Sequence, residues 1–242
     1  GRGVVPWGYV WQGRQYEGLS CVFLEVLRGF GGHWLSTGND HLPDLDSEEA
    51  VAAADWLAGL VRSGVTPAAV ANVSEADSLQ IFGAGQAAFM RNWPYAWAEL
   101  QKPGSAVAGH VGVISLGAGT QGSWGLSMLR GSDHPQQAAE VMRWFTGEVS
   151  SRELAERYGY TPIWESLLND PRLEEQLPLL PVLRQALETT ALRPLTPVYA
   201  QLSDVLQRQL SELITGEGSA RTAMAEAQRQ SELILLAAGP KQ

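Results

Sequence analysis

AAFMRNWPYAW, residues 87–97, opens on small and apolar side chains and closes on three aromatic ones, Trp93, Tyr95 and Trp97. Ala87 to Met90 reads as a buried strand, because a parallel strand covered on both faces loses polar alternation. Pro94 fixes its own φ, supplies no donor and pushes Trp93 towards an extended conformation, so the strand ends there. Aromatic rings are thus displayed on a stiff corner at the end of a strand, which is where open α/β sheets bind ligands. A ring offers an apolar face and a polar tip, suited to a flat ligand such as a sugar. The same rings could instead plug a core beneath a loop.

Extended to IFGAGQAAFMRNWPYAW (residues 81–97), the segment resembles the sugar-binding proteins of bacterial ABC transporters. These are the extracellular solute-binding proteins of the maltose- and trehalose/maltose-binding type. The resemblance recurs in order along nearly the whole chain. It implies an α/β, two-lobe fold of the type II periplasmic-binding-protein kind, with the ligand in the cleft between lobes. It places residues 1–106 mainly in the carboxy-terminal lobe, 107–158 in a segment crossing into the amino-terminal lobe, and 159–242 in the return. It also implies a sugar ligand, maltose- or trehalose-like, ABC permease subunits as partners, and export to the periplasm or cell surface.

Composition fits a binding protein of that kind. An apolar content of 45% with 18% charged residues is that of a globular chain. The net charge of −9, with no Lys/Arg run, disfavours nucleic acid, which needs a basic footprint. Nine tryptophans are many for 242 residues and hint at carbohydrate. A single cysteine, Cys21, in an apolar run, excludes an internal disulfide, offers no metal framework and reads as buried and inert. No stretch approaches a membrane span of about 20 apolar residues. No signal peptide is visible, and the chain starts at Gly1 in mid-pattern. The expectation is a carboxy-terminal portion that lacks an earlier segment, binds sugar weakly or not at all by itself, and tends to self-associate.

In chain order, the aromatic opening GRGVVPWGYVWQGRQYE leads into a helix from Tyr16 to Phe30 that stops at Gly31-Gly32. Trp11, Gln12 and Tyr16 match the family's loop side chains that reach the sugar; Gln12 also reads as a solvated loop amide. His33 beside two glycines reads as surface. Asp46-Ser47-Glu48-Glu49 caps a second helix, on which Trp56 reads as core, and Ser74-Glu75 starts a third. Val111 to Ile114 reads as a buried strand, and a Gly-rich loop follows. That loop fails as a phosphate loop, having no Gly-Lys-Ser/Thr and no Rossmann spacing. It leads into Ser123 to Met128, expected as a strand and resembling the family's G-G-W element, in which Trp124 and the Gly125 backbone face the sugar; Trp124 could alternatively pack between lobes.

Asp133 to Gly147 and Glu148 to Arg157 read as helices, the first with Pro135 near its start. At Gly159 to Leu167 the chain resembles the family's return into the carboxy-terminal lobe but departs from it. Ile163-Trp164 stands where a Thr-Arg pair often serves the site, so an apolar or stacking contact is expected in place of an arginine's hydrogen bonds. Pro171 to Thr190 reads as helical but broken at Pro178 and Pro181. Arg193, in a connector resembling R-P-x-x-P-x-Y, either donates to sugar oxygens or braces the connector. Ala200 to Leu213 and Ser219 to Leu236 close the chain as amphipathic helices.

Two other classes compete. A glycosidase needs paired carboxylates flanking an aromatic cleft. Here the acids fall in helix-start clusters (Asp46, Glu48, Glu49; Glu174, Glu175), and no acid but Glu99 is expected near the corner. No nucleophile motif, HExxH or cofactor fingerprint occurs. A scaffold would bury its aromatics and offer no pocket. The reading that unites aromatic corner, acidic charge and family pattern is a non-enzymatic sugar receptor.

Overall fold

The computed structural model describes residues 5–36 and 42–239. Strand β1 (Trp7–Val10) pairs in parallel with β2 (Ala87–Met90), in the register Trp7–Ala87, Tyr9–Phe89 and Val10–Met90. The strand in the aromatic segment therefore forms, but it is not covered on both faces. Ala87 is buried, whereas Phe89 is 66% exposed. Continuous burial needs neighbours on both sides, and β1 is the one strand paired with β2 among the described residues.

Helix α1 (Glu17–Gly29) buries Leu19, Val22, Phe23 and Leu27 along its inner face. It ends through Gly31, whose φ of +85° favours glycine. Gly31 N donates to Arg28 O and Gly32 N to Leu27 O, so both orphan carbonyls are satisfied. Ser47 caps α2 (Glu48–Arg62) by accepting from Ala50 N. A 3₁₀ turn at Ala68–Asn72 leads to α3 (Glu75–Gly83), where Ser74 and Asp77 form a capping box. Trp56, expected in the core, is 43% exposed. It lies on the outer side of α2, whose buried face is taken by Ala50, Ala53, Ala54, Leu57 and Ala58.

The main core joins the start of the chain to its end. Helices α10 (Tyr199–Ile214) and α11 (Ala220–Ala238) pack on each other and on α1 and α2, burying Leu202, Leu206, Leu210 and Met224 with Trp11, Phe23 and Leu57. Gln228 of α11 uses both ends of its amide here: Leu45 N donates to its Oε1 at 2.9 Å, and its Nε2 donates to Pro43 O at 2.9 Å.

After the short α4 (Tyr95–Leu100) the chain differs from expectation. Neither Val111 to Ile114 nor Ser123 to Met128 forms a strand, and Ile114, Trp124 and Leu126 are exposed. Extended chain becomes a strand only by pairing, and no partner lies beside these segments among the described residues. Helices α5 (Pro135–Phe145) and α6 (Glu148–Tyr158) then form as read, the first with Pro135 in its opening turn.

A second, smaller core gathers Ala155, Leu167, Leu173, Leu177, Leu180 and Leu183. It is built by α6, α7 (Glu165–Leu168), α8 (Pro171–Gln176) and α9 (Leu180–Thr189). The break falls at Pro178 as expected. Pro181 instead lies in the first turn of α9, where its missing N–H costs nothing. Trp97 packs against this second core, so it is a plug and not a displayed ring.

Candidate functional site

The aromatic corner stands at the carboxy-terminal ends of β1 and β2, and a carboxylate from α3 organises it. Glu75 Oε2 accepts from the Tyr16 hydroxyl at 2.5 Å, and its Oε1 accepts from Trp93 Nε1 at 3.1 Å. Asn92 adds to the corner by donating to Glu75 O at 3.0 Å and accepting from Trp93 N through Oδ1 at 2.8 Å. Burial and the bond to Glu75 push the Tyr16 phenol well above its ordinary pKa. Tyr95, half-buried at the start of α4, is raised by burial and then by the charges of Glu75, Glu99 and Tyr160.

Beneath the rings lies a buried ion pair. Arg91 donates to Glu25 through Nε at 3.0 Å and Nη2 at 2.5 Å, with both side chains almost wholly enclosed. Burial works against the arginine's charge, but Glu25 more than offsets it and its pKa is raised. Removing one partner of such a pair strands a buried charge, at a cost of about 3–5 kcal/mol. The guanidinium also lies 4.2 Å from the Trp93 ring centroid, a cation–π distance. Gly122 passes the ring's edge, where a Cβ would sit 3.0 Å from Trp93 Cη2 and Cζ3.

The residues singled out from sequence divide into three groups. Tyr16 and Trp93 meet on Glu75, with Tyr95 beside them. Trp11 and Gln12 are fully buried, a correction to their reading as loop side chains open to a ligand. Trp11 Nε1 donates to Thr66 Oγ1 at 3.2 Å. Gln12 Nε2 donates to Ser78 Oγ at 2.8 Å and Arg91 O at 3.0 Å, while its Oε1 accepts from Arg91 Nη1 at 3.0 Å. Gln12 therefore supports the corner from below, whereas Trp11 belongs to the main core.

Trp124, Gly125, Trp164 and Arg193 stand apart, with no hydrogen bond or ring contact to that cluster among the described residues. Trp124 is 103% exposed and Gly125 is exposed beside it. Trp164 precedes α7 and donates through Nε1 to Thr146 O at 2.9 Å. Arg193 Nη1 donates to Glu17 Oε1 at 2.6 Å, and the same carboxylate accepts from Tyr199 and from Ser203 Oγ. Arg193 is thus held to Glu17 at the start of α1.

Glu75, Glu25 and Arg91 were missed in the sequence. The corner does carry an acid, contrary to the expectation that only Glu99 lay near. Glu75 opens α3 and reads as a capping acid, yet Asp77 caps Ser74 and leaves Glu75 to turn to the rings. No group of three or more His, Cys, Asp or Glu that could hold a metal occurs among the described residues. No helix there is long and apolar enough to cross a membrane.

Comparison with known proteins gives a consistent result. A family model described as "Bacterial extracellular solute-binding protein" matches residues 9–179. A Deinococcus radiodurans protein described as "Probable ABC transporter-binding protein" is 33% identical over 227 residues, covering 90% of this chain and 54% of the relative. Among solved structures, maltose-bound T. maritima MalE3 is 32% identical with a TM-score of 0.89, covering 94% of this chain and 60% of that one. A solute-binding protein of Agrobacterium radiobacter K84 in complex with ribitol shares the fold, at 23% identity and a TM-score of 0.83 over 94% of this chain and 59% of that one. The chain thus spans about half the length of the curated relative it matches.

Proposed function

This chain belongs to the bacterial extracellular solute-binding protein family, and from that premise we propose that it forms part of a receptor for a sugar or polyol serving an ABC importer. Members of this family bind solutes for transport and are not enzymes. The observation that carries the reading is the meeting of Tyr16 and Trp93 on the Glu75 carboxylate at the ends of two parallel strands. Each carboxylate oxygen holds a further lone pair. Aromatic faces beside a free acceptor are the chemistry that recognises a hydroxyl-bearing ring.

The finer assignment is an α-glucosyl disaccharide, with maltose ahead of trehalose because the similar MalE3 structure holds maltose. Tyr16, Trp93 and Tyr95 form the first wall, while Trp124, Gly125 and Trp164 serve the opposite side of a cleft. Gln12 acts as support, Trp11 as core, and Arg193 as the connector's brace. The lobe division at residues 106 and 158 belongs to the same proposal. So do export to the periplasm or cell surface and docking on membrane permease subunits.

Titration of the chain with maltose, trehalose, ribitol and mannitol, read by tryptophan fluorescence, tests this. A saturable change with maltose, lost in Trp93→Ala, supports it. No response to any of the four, by this chain or by the full-length receptor, sinks it. Release of glucose from maltose by the chain would move the assignment to an enzyme.

A further inference from the structure

The contacts that hold the aromatic corner continue beyond it, through α1. Cys21, Glu25 and Arg28 stand at i, i+4 and i+7 and so share one helical face. All three hold the same piece of chain. Thr120 Oγ1 donates to Cys21 O at 2.9 Å and Thr120 N to Glu25 Oε1 at 3.3 Å. Arg28 Nη1 donates to Thr189 O at 3.0 Å and Gly119 O at 3.4 Å. Residues 119–121 and 189–191 are in turn paired, Gln121 N donating to Ala191 O at 2.8 Å and Ala191 N to Gly119 O at 2.8 Å. One helix face therefore clasps two distant passes of the chain. The Glu25 carboxylate that takes part in the clasp also holds Arg91 by two bonds, and Arg91 lies against the Trp93 ring.

We propose that Glu25 is a positioning residue, which sets the Trp93 ring through Arg91 and ties that ring through Thr120 to the paired passes 119–121 and 189–191. This rests on the reading of Trp93 as a solute platform. A carboxylate that meets a guanidinium with both oxygens fixes its plane, which a single point contact does not. The fixed plane then orients the ring above it. Gly122, two residues beyond Thr120, runs along the edge of the same ring, so a shift of that pass reaches Trp93 from two directions. Contiguity alone does not establish coupling, so the test reads both ends.

The experiment follows two resonances of the 242-residue chain by ¹H–¹⁵N NMR: the Trp93 indole N–H, assigned by its loss in Trp93→Phe, and the Thr120 amide. Glu25→Gln displaces both, whereas Asp55→Asn, at an exposed ion pair on α2, moves neither. Arg91→Lys keeps the charge without the planar fork, and displaces the Trp93 indole. It stands in should Glu25→Gln not fold. Maltose affinity falls about tenfold in Glu25→Gln although Glu25 takes no part in stacking, between the size of an exposed and of a desolvated cation–π contact. A Trp93 indole that stays in place in folded Glu25→Gln or Arg91→Lys protein overturns the proposal. If maltose leaves the wild-type indole unmoved while Glu25→Gln still displaces it, Glu25 keeps its positioning role and the solute reading falls.

Discussion

The guanidinium carbon of Arg91 lies 4.2 Å from the centroid of the Trp93 ring, and that ring's Nε1 donates to Glu75 at 3.1 Å. One side of the indole is therefore occupied by a cation and its tip by a carboxylate. The ring is held from within the chain, which is what a preorganised platform for a ligand requires.

Trp93→Ala and Trp11→Ala separate platform from core. Trp11 is fully buried in the main cluster, so its truncation lowers unfolding free energy by about 3–5 kcal/mol. Trp93 is only half-buried, so its truncation weakens maltose binding about tenfold at a smaller cost in stability. Urea melts and calorimetry of both variants decide this. A core-sized stability loss with unchanged affinity for Trp93→Ala rejects the platform.

The chain loses stability on the alkaline side. Burial pushes the Cys21 thiol from 9.0 up to about 11. Burial also raises Tyr9, Tyr16 and Tyr199 above 10.0, the last two helped by bonds to Glu75 and Glu17. A group whose folded pKa is raised contributes stability that is complete below the unfolded value and lost as pH rises towards the folded one. Midpoints of urea unfolding are therefore flat up to about pH 9 and fall between there and pH 11. Iodoacetamide at pH 8 labels Cys21 only in denaturant; rapid labelling of the native chain would contradict its burial.

Arg193→Gln affects stability before affinity. It removes the charged donor from Glu17 but leaves Tyr199 and Ser203 bonded to the same carboxylate. For a partly exposed pair the loss is on the order of 1 kcal/mol. Thermal melts and maltose titration measured together check this. A drop in affinity without a shift in melting would make Arg193 a ligand donor after all.

Self-association is expected through the exposed apolar side chains of the 107–164 region. Leu116, Trp124, Leu129, Val141 and Trp144 are all exposed there, and apolar side chains left in water favour association. Light scattering of the 242-residue chain reports concentration-dependent growth in mass, reduced in Trp124→Ser with Leu129→Ser. A constant monomer mass at all concentrations would show that these side chains attract no partner copy.

Helix boundaries were legible because their causes are local. Ser47 before Glu48, Ser74 before Glu75, Pro135 and Gly31 each act within a turn of where they stand. The strand at Ala87 to Met90 and the corner after it were equally readable, since Pro94 acts on its immediate neighbours. Pairing and burial have no such local cause. Val111 to Ile114 has a strand's composition and no strand beside it, and Trp56 and Phe89 have a core's composition and face outward.

The candidate site divides along the same line. Its aromatic members were visible as residue types, whereas their organisers were not. Glu75 reaches Trp93 across 18 positions, Arg91 reaches Glu25 across 66, and Gln12 meets Arg91 across 79. Each of these side chains also has an ordinary local reading, as capping acid, helix-surface acid or loop amide. Only packing α1 and α3 around the ends of β1 and β2 removes water from them, and a buried charge then keeps the partner that folding places within reach.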